Sequence, residues 1–137
     1  MTDNDIPNGH LNRCATWKTA GKDAKLENLE VTEKQQIATV TATYKMEAQG
    51  STLQTIYDIH PDGAVRVSMH FTPGKQALNE MPRLGMRMIL PAEYEMMSWL
   101  GRGPQENYAD RKTGALIGLY NATVWEQFHP YVRAQET

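Results

Sequence analysis

The stretch Gly101 to Arg111, GRGPQENYADR, gathers the densest set of chemically capable side chains in the sequence. Glu106 and Asp110, Arg102 and Arg111, Asn107 and Tyr108 stand there among Gly101, Gly103 and Pro104. An acid, an amide and an aromatic together suit contact with a sugar. The same acids and arginines equally suit charge-assisted hydrogen bonds that hold a long loop against a sheet. Two glycines and a proline give such a loop its turns. The stretch therefore reads first as a built, architectural loop, with Tyr108 expected to pack inward and its hydroxyl to find a backbone partner.

Other reactive groups are sparse. Cys14 is the single cysteine, so the chain holds no intrachain disulfide, and a Cys-based zinc cluster lacks its ligands. No histidine or asparagine stands near Cys14 in a protease-like pattern, and it reads as a small, partly buried side chain. His10, His60, His70 and His129 lack the i, i+4 spacing that would place two of them on one helix face for a metal. No metal and no cofactor are expected. Eight methionines are read as core and sheet-face filler.

The elements that must position these residues are strands. From Lys25 onward the dominant period is two. Gln36 to Ala48 alternates Ala38, Val40, Ala42, Tyr44 and Met46 against Thr39, Thr41, Thr43 and Lys45, a strand with one buried face. Gly50 and Ser51 turn the chain into a second run, Leu53, Thr55, Tyr57 and Ile59, and the two predict a hairpin. HPDG at His60 to Gly63 is the next turn. Val65, Val67, Met69 and Phe71 then oppose Arg66, Ser68 and His70. Leu84 to Leu90 repeats the alternation, Tyr94 to Leu100 runs into the opening loop, and Gly114 to Tyr120 follows it. About seven short strands with turn signals between them predict an all-β, antiparallel sandwich over residues 1–137 as a single domain. Short helical turns are expected at Leu11 to Thr19 and at Thr123 to Phe128, where Thr123 and Glu126 have capping-box spacing.

Lys plus Arg number 14 against 16 Asp plus Glu, a formal charge of −2, so no basic footprint invites nucleic acid. No run approaches a membrane span, and MTDNDIPNGH has neither the basic start nor the apolar stretch of a signal peptide. The chain reads as soluble and without an address to any compartment. Both ends read as cut: TDND follows Met1 with no strand before it, and HPYVRAQET stops as a new element begins.

WLGRGPQENYADR at Trp99 to Arg111 closely resembles a motif in the large C-terminal β domain of LacZ-type β-galactosidases, a group within glycoside hydrolase family 2. TDNDIPNG, with Asp3, Asn4 and Asp5, resembles that family's Asp-Asn-Asp turn. WKTAG at Trp17 to Gly21 and PYVRAQE at Pro130 to Glu136 match two further places in order. Ala134 departs from the family's usual proline. The resemblance implies a truncated piece of a supersandwich similar to galactose mutarotase, with the catalytic glutamates in a barrel outside this chain and no catalytic residue within it. It also implies that Asn8, Gly9, His10, Asn12 and Arg13 lie on a loop reaching toward the sugar site. Partners would be the remaining domains of the parent, a galactoside in that parent, and further copies of the fragment. Glu93 and Glu95 alternate on a strand edge, yet spacing in sequence is poor evidence for the carboxyl pair glycoside hydrolysis needs, and they read as solvated. Two other readings stand beside this one. The first is a free-standing carbohydrate-binding sandwich stacking sugars on Trp99, Tyr108 and Trp125. The second is an interaction module that buries an apolar face against a neighbour.

Overall fold

The computed structural model describes residues 7–75 and 77–131. The expectations placed on Asp3, Asn4 and Asp5 and on Val132 to Glu136 concern residues outside that set. The chain divides into two compact units, one of residues 7–84 and one that begins at Gly85.

The first unit opens with two single-turn helices, α1 (His10–Arg13) and α2 (Ala20–Asp23), joined by a 3₁₀ turn at Ala15–Trp17. The helix expected over Leu11 to Thr19 is thus broken, as isolated segments this short do not sustain a continuous ladder. Four strands follow, β1 (Lys25–Lys34), β2 (Ile37–Met46), β3 (Ser51–Ile59) and β4 (Val65–Thr72), in the sheet order β1-β2-β3-β4. Every neighbouring pair is antiparallel.

The register explains the two-residue period. Ala42 lies opposite Thr55, and Thr55 opposite Met69, so these three share one face with Val40, Tyr57 and Val67. Ala42, Met46, Ser51 and Thr55 are buried on it. The other face is polar: the Thr39 hydroxyl donates to Asp58 Oδ1 at 2.7 Å across the β2–β3 pair. Trp17 covers one end of the apolar face, its ring edge-on to Phe71 with centroids 6.0 Å apart. Gln49, itself buried, donates from Nε2 to the Thr16 carbonyl at 2.5 Å, and Ser51 Oγ accepts from the Gly74 N–H at 3.1 Å. Buried amide and hydroxyl groups thereby tie the helical segment, the β2–β3 turn and the chain leaving β4 into one polar knot.

In the second unit, β5 (Met96–Gly103) and β6 (Leu116–Thr123) form an antiparallel hairpin from Met96↔Thr123 to Gly103↔Leu116. A 3₁₀ turn at Trp125–Gln127 follows, and Thr123 and Glu126 make both capping-box bonds, Thr123 N–H to Oε2 at 2.7 Å and Glu126 N–H to Thr123 Oγ1 at 3.2 Å. The described chain is all-β and antiparallel in two sheets with short helical turns, as the sandwich class requires.

One expected strand is not formed. Leu84 to Leu90 is irregular, and Leu84, Met86, Met88 and Leu90 are all more than half exposed. Alternation is necessary for a strand, yet a ladder also needs a partner, and none pairs here among the described residues. Met86 and Met88 are consequently on the surface, Met96 of β5 is exposed as well, and Met46 does serve as core.

Candidate functional site

GRGPQENYADR spans the end of a strand and the loop after it. Gly101, Arg102 and Gly103 belong to β5, and residues 104–115 connect it to β6. Trp99 faces Tyr120 across the hairpin, their rings stacked with centroids 5.5 Å apart. These rings lie over the glycines: a Cβ on Gly103 would stand 2.8 Å from Tyr120 Cδ2 and 3.1 Å from Trp99 Cζ2. Gly103 is therefore a packing requirement, imposed by close approach of the rings. The Trp99 indole N–H donates to the Arg102 carbonyl at 3.1 Å, and the Tyr120 hydroxyl to the Leu116 carbonyl at 3.0 Å. Trp99 is structural, and its ring is already stacked.

The arginines hold the two ends of the loop. Arg102 Nη1 donates to the carbonyls of Lys112 at 3.1 Å and Ala115 at 2.8 Å, and Ala115 is buried. Arg111 Nη2 donates to Glu106 Oε1 at 2.5 Å and to the Tyr131 hydroxyl at 2.6 Å. Its guanidinium also lies 4.7 Å from the Tyr108 ring centroid and 5.7 Å from that of Tyr131. Tyr108 is 36% exposed with the Arg111 cation over its ring, so it packs against a surface arginine where packing into a core was expected. The peptide before Pro104 is cis, Asn107 is half-buried and Asp110 exposed.

The N-terminal residues form a second cluster, within the first unit. Asn8 and Gly9 precede α1, and Gly9 takes φ +64° as its N-cap. Its carbonyl accepts from the Asn12 and Arg13 N–H groups at 3.1 and 3.0 Å. The expected loop is therefore a helical turn, and residues 79–80 clamp it. Arg13 donates to Glu80 Oε1 at 2.6 Å and to the Asn8 carbonyl at 2.8 Å. Asn79 donates to the Arg13 carbonyl at 2.5 Å, and the half-buried Trp17 donates from Nε1 to the Asn79 carbonyl at 3.0 Å. Its own backbone N–H and the Arg13 guanidinium hold the Glu80 carboxyl below its ordinary value. His10 Nδ1, Cys14 Sγ and a Glu80 oxygen meet here, so a histidine does stand beside the buried cysteine. The signal in the sequence is an i, i+4 pair of mixed type, His10 and Cys14, which the spacing of the histidines alone does not show.

Glu93 and Glu95 are exposed and precede β5 instead of alternating along it, and Val124 N–H donates to the Glu95 carbonyl at 2.8 Å. An open cleft of about 770 Å³ is lined by Met88, Leu90, Tyr94, Val124, Trp125 and Phe128 among others. Trp125 is 78% exposed and stacks on Phe128 with centroids 5.6 Å apart. No helix among the described residues is long and apolar enough to cross a membrane.

Fold and loop define an all-β antiparallel chain whose polar apparatus anchors turns. The chain belongs to the β-galactosidase small chain family, which matches residues 1–137. It is 32% identical over 136 residues to a β-galactosidase of Priestia megaterium, covering 99% of this chain and 13% of that protein. It is 37% identical over 123 residues to a β-galactosidase of Clostridium acetobutylicum, covering 89% of this chain and 14% of that protein. With a β-galactosidase of Lactobacillus delbrueckii subsp. bulgaricus the identity is 34% over 139 residues, 100% of this chain and 14% of that protein. The chain thus spans between 13% and 14% of the length of these curated relatives.

Proposed function

We propose that this chain is a non-catalytic part of a β-galactosidase of glycoside hydrolase family 2, placed C-terminal to the catalytic barrel, which it supports while helping to shape the galactoside site. The observation that carries this reading is the family match along all 137 residues, to proteins named β-galactosidase of which the chain is a small share. Met96, Leu100, Ile117 and Leu119 share one face of the β5–β6 hairpin and are 68–79% exposed, an apolar surface suited to cover by other domains of the parent. On this reading the turn of Asn8 to Arg13, made firm by Asn79 and Glu80, lies toward the mouth of the sugar site. Its rigidity suits positioning rather than chemistry.

The test has two parts. The purified chain should not hydrolyse nitrophenyl galactoside. A Clostridium acetobutylicum β-galactosidase lacking the matching segment should lose activity and regain part of it when this chain is supplied. Turnover by the repurified chain that disappears in Glu93→Gln or Glu95→Gln, or full activity of the shortened relative, would overturn the reading.

One observation favours a second reading, a carbohydrate-binding module: the exposed Trp125 on an open cleft beside Tyr94 and Phe128. Quenching of tryptophan fluorescence by galactose or lactose, lost in Trp125→Ala, is what that reading requires.

A further inference from the structure

Cys14 is buried at the end of the turn that His10 begins, and the thiol sulfur lies 3.5 Å from His10 Nδ1. Glu80, distant in sequence, brings its carboxylate to the same point, and one ligand atom from each residue lies within 4.8 Å of the others. We propose that His10 Nδ1, Cys14 Sγ and the Glu80 carboxylate form a binding site for a thiophilic divalent cation, zinc by the chemistry of its donors. The proposal stands apart from the β-galactosidase reading.

Geometry carries it. Tetrahedral zinc takes sulfur at about 2.3 Å and imidazole nitrogen at about 2.0–2.1 Å, which sets the two ligand atoms roughly 3.5 Å apart. That is the separation of Cys14 Sγ and His10 Nδ1. The spacing of four residues on a helical turn stacks the two side chains on one face. One imidazole, one thiolate and one carboxylate leave a fourth position for water, the pattern of a zinc site with three protein ligands.

The supporting bonds exist independently of any ion. Arg13 Nε holds Glu80 Oε1 at 2.6 Å, orienting the carboxylate as an outer-shell partner does. The Cys14 thiol reaches the Glu80 carbonyl at 3.4 Å, and Asn79 and Trp17 tie the segment to the turn. Binding needs only that Cys14 yield its thiol proton to solvent while the zinc–sulfur bond forms, with no change of oxidation state.

The test is titration of the reduced full chain with cobalt(II), then zinc(II). One cobalt per chain should bind with a thiolate-to-cobalt charge-transfer band and tetrahedral ligand-field bands, and zinc should displace it. Cys14→Ser should abolish the charge-transfer band. His10→Gln should weaken binding at least 10-fold, and His70→Gln, on the polar face of β4, should change nothing. Because Cys14 is buried, His10→Gln gives the reading should Cys14→Ser fail to fold, and zinc should raise the melting temperature of the wild type but not of His10→Gln. Absence of the charge-transfer band at saturating cobalt, or unchanged cobalt affinity in His10→Gln, would overturn the assignment.

Discussion

At the scale of residues, the loop anchors differ in worth because they differ in exposure. The side chains of Arg111 and Glu106 are 48% and 28% exposed, so water screens their ion pair, and Arg111→Ala should cost about 0.5–1 kcal/mol of stability. Arg102 instead donates to two carbonyls, that of Lys112, which also accepts from the Ala115 N–H at 3.1 Å, and that of the buried Ala115. Its removal takes a charge-assisted bond from the Ala115 carbonyl, and Arg102→Ala should cost about 1.5 kcal/mol. Chemical melts of the two variants should therefore rank Arg102→Ala as the less stable, and the reverse order would show that Arg111 is the true anchor. The pairing of acids with arginines was legible from GRGPQENYADR itself. That Arg102 bonds backbone and Arg111 bonds Glu106 was not, since both arginines are equal as letters.

At the scale of elements, two turns invite direct tests. Gln35 and Gln36 join β1 to β2 with φ of 52° and 63°, the left-handed pair of a type I′ hairpin turn. Side chains with a Cβ are strained there, and replacing the pair by Asn-Gly should stabilise the chain by about 1 kcal/mol in urea unfolding. The turn after β6 responds to pH. Bonds from the Thr123 N–H and then its hydroxyl hold the Glu126 carboxyl below its ordinary value. A group whose pKa is depressed by folding stabilises the fold above its unfolded value, about 4.3, and that contribution fades as pH falls through the folded value. The Thr123 amide resonance should accordingly titrate below pH about 4.3, and in Glu126→Gln that acid step should vanish. A resonance that titrates alike in both proteins would show that another group controls the turn. The capping box was readable from two letters three apart. The Gln-Gln turn was not, because neither residue is a usual turn former and only the closing of β1 on β2 forces the conformation.

At the scale of the whole chain, apolar surface is the dominant feature. Leu26, Leu29 and Val31 of β1 are 53–64% exposed, and β1 is an edge strand of its sheet. Edges offer unpaired N–H and C=O groups, and exposed apolar side chains add a driving force for association. The chain should therefore self-associate, and light scattering across a concentration series should show the apparent mass rising. Charged substitution on the exposed hairpin face, Leu100→Lys with Leu119→Glu, or on β1, Val31→Lys, should reduce that association at the responsible surface. A single monomeric species at every concentration would refute the expectation.

What the sequence by itself determined was the class of architecture. Side chains alternate across a pleated strand by covalent geometry, so Val65 to Phe71 and Ala38 to Met46 declare their faces before any partner is known. Turn chemistry is equally local: Gly63 at φ +87° closes the HPDG turn as its letters require. Tertiary structure decided which alternating runs became strands, because a strand exists only where a neighbour accepts its hydrogen bonds. Leu84 to Leu90 has the pattern and no partner among the described residues, whereas β1 is held by β2. Tertiary structure also decided the meeting of His10, Cys14 and Glu80. No local rule spans the separation of 66 positions from Cys14 to Glu80, and only the four-stranded sheet, by folding between them, brings the chain back to α1.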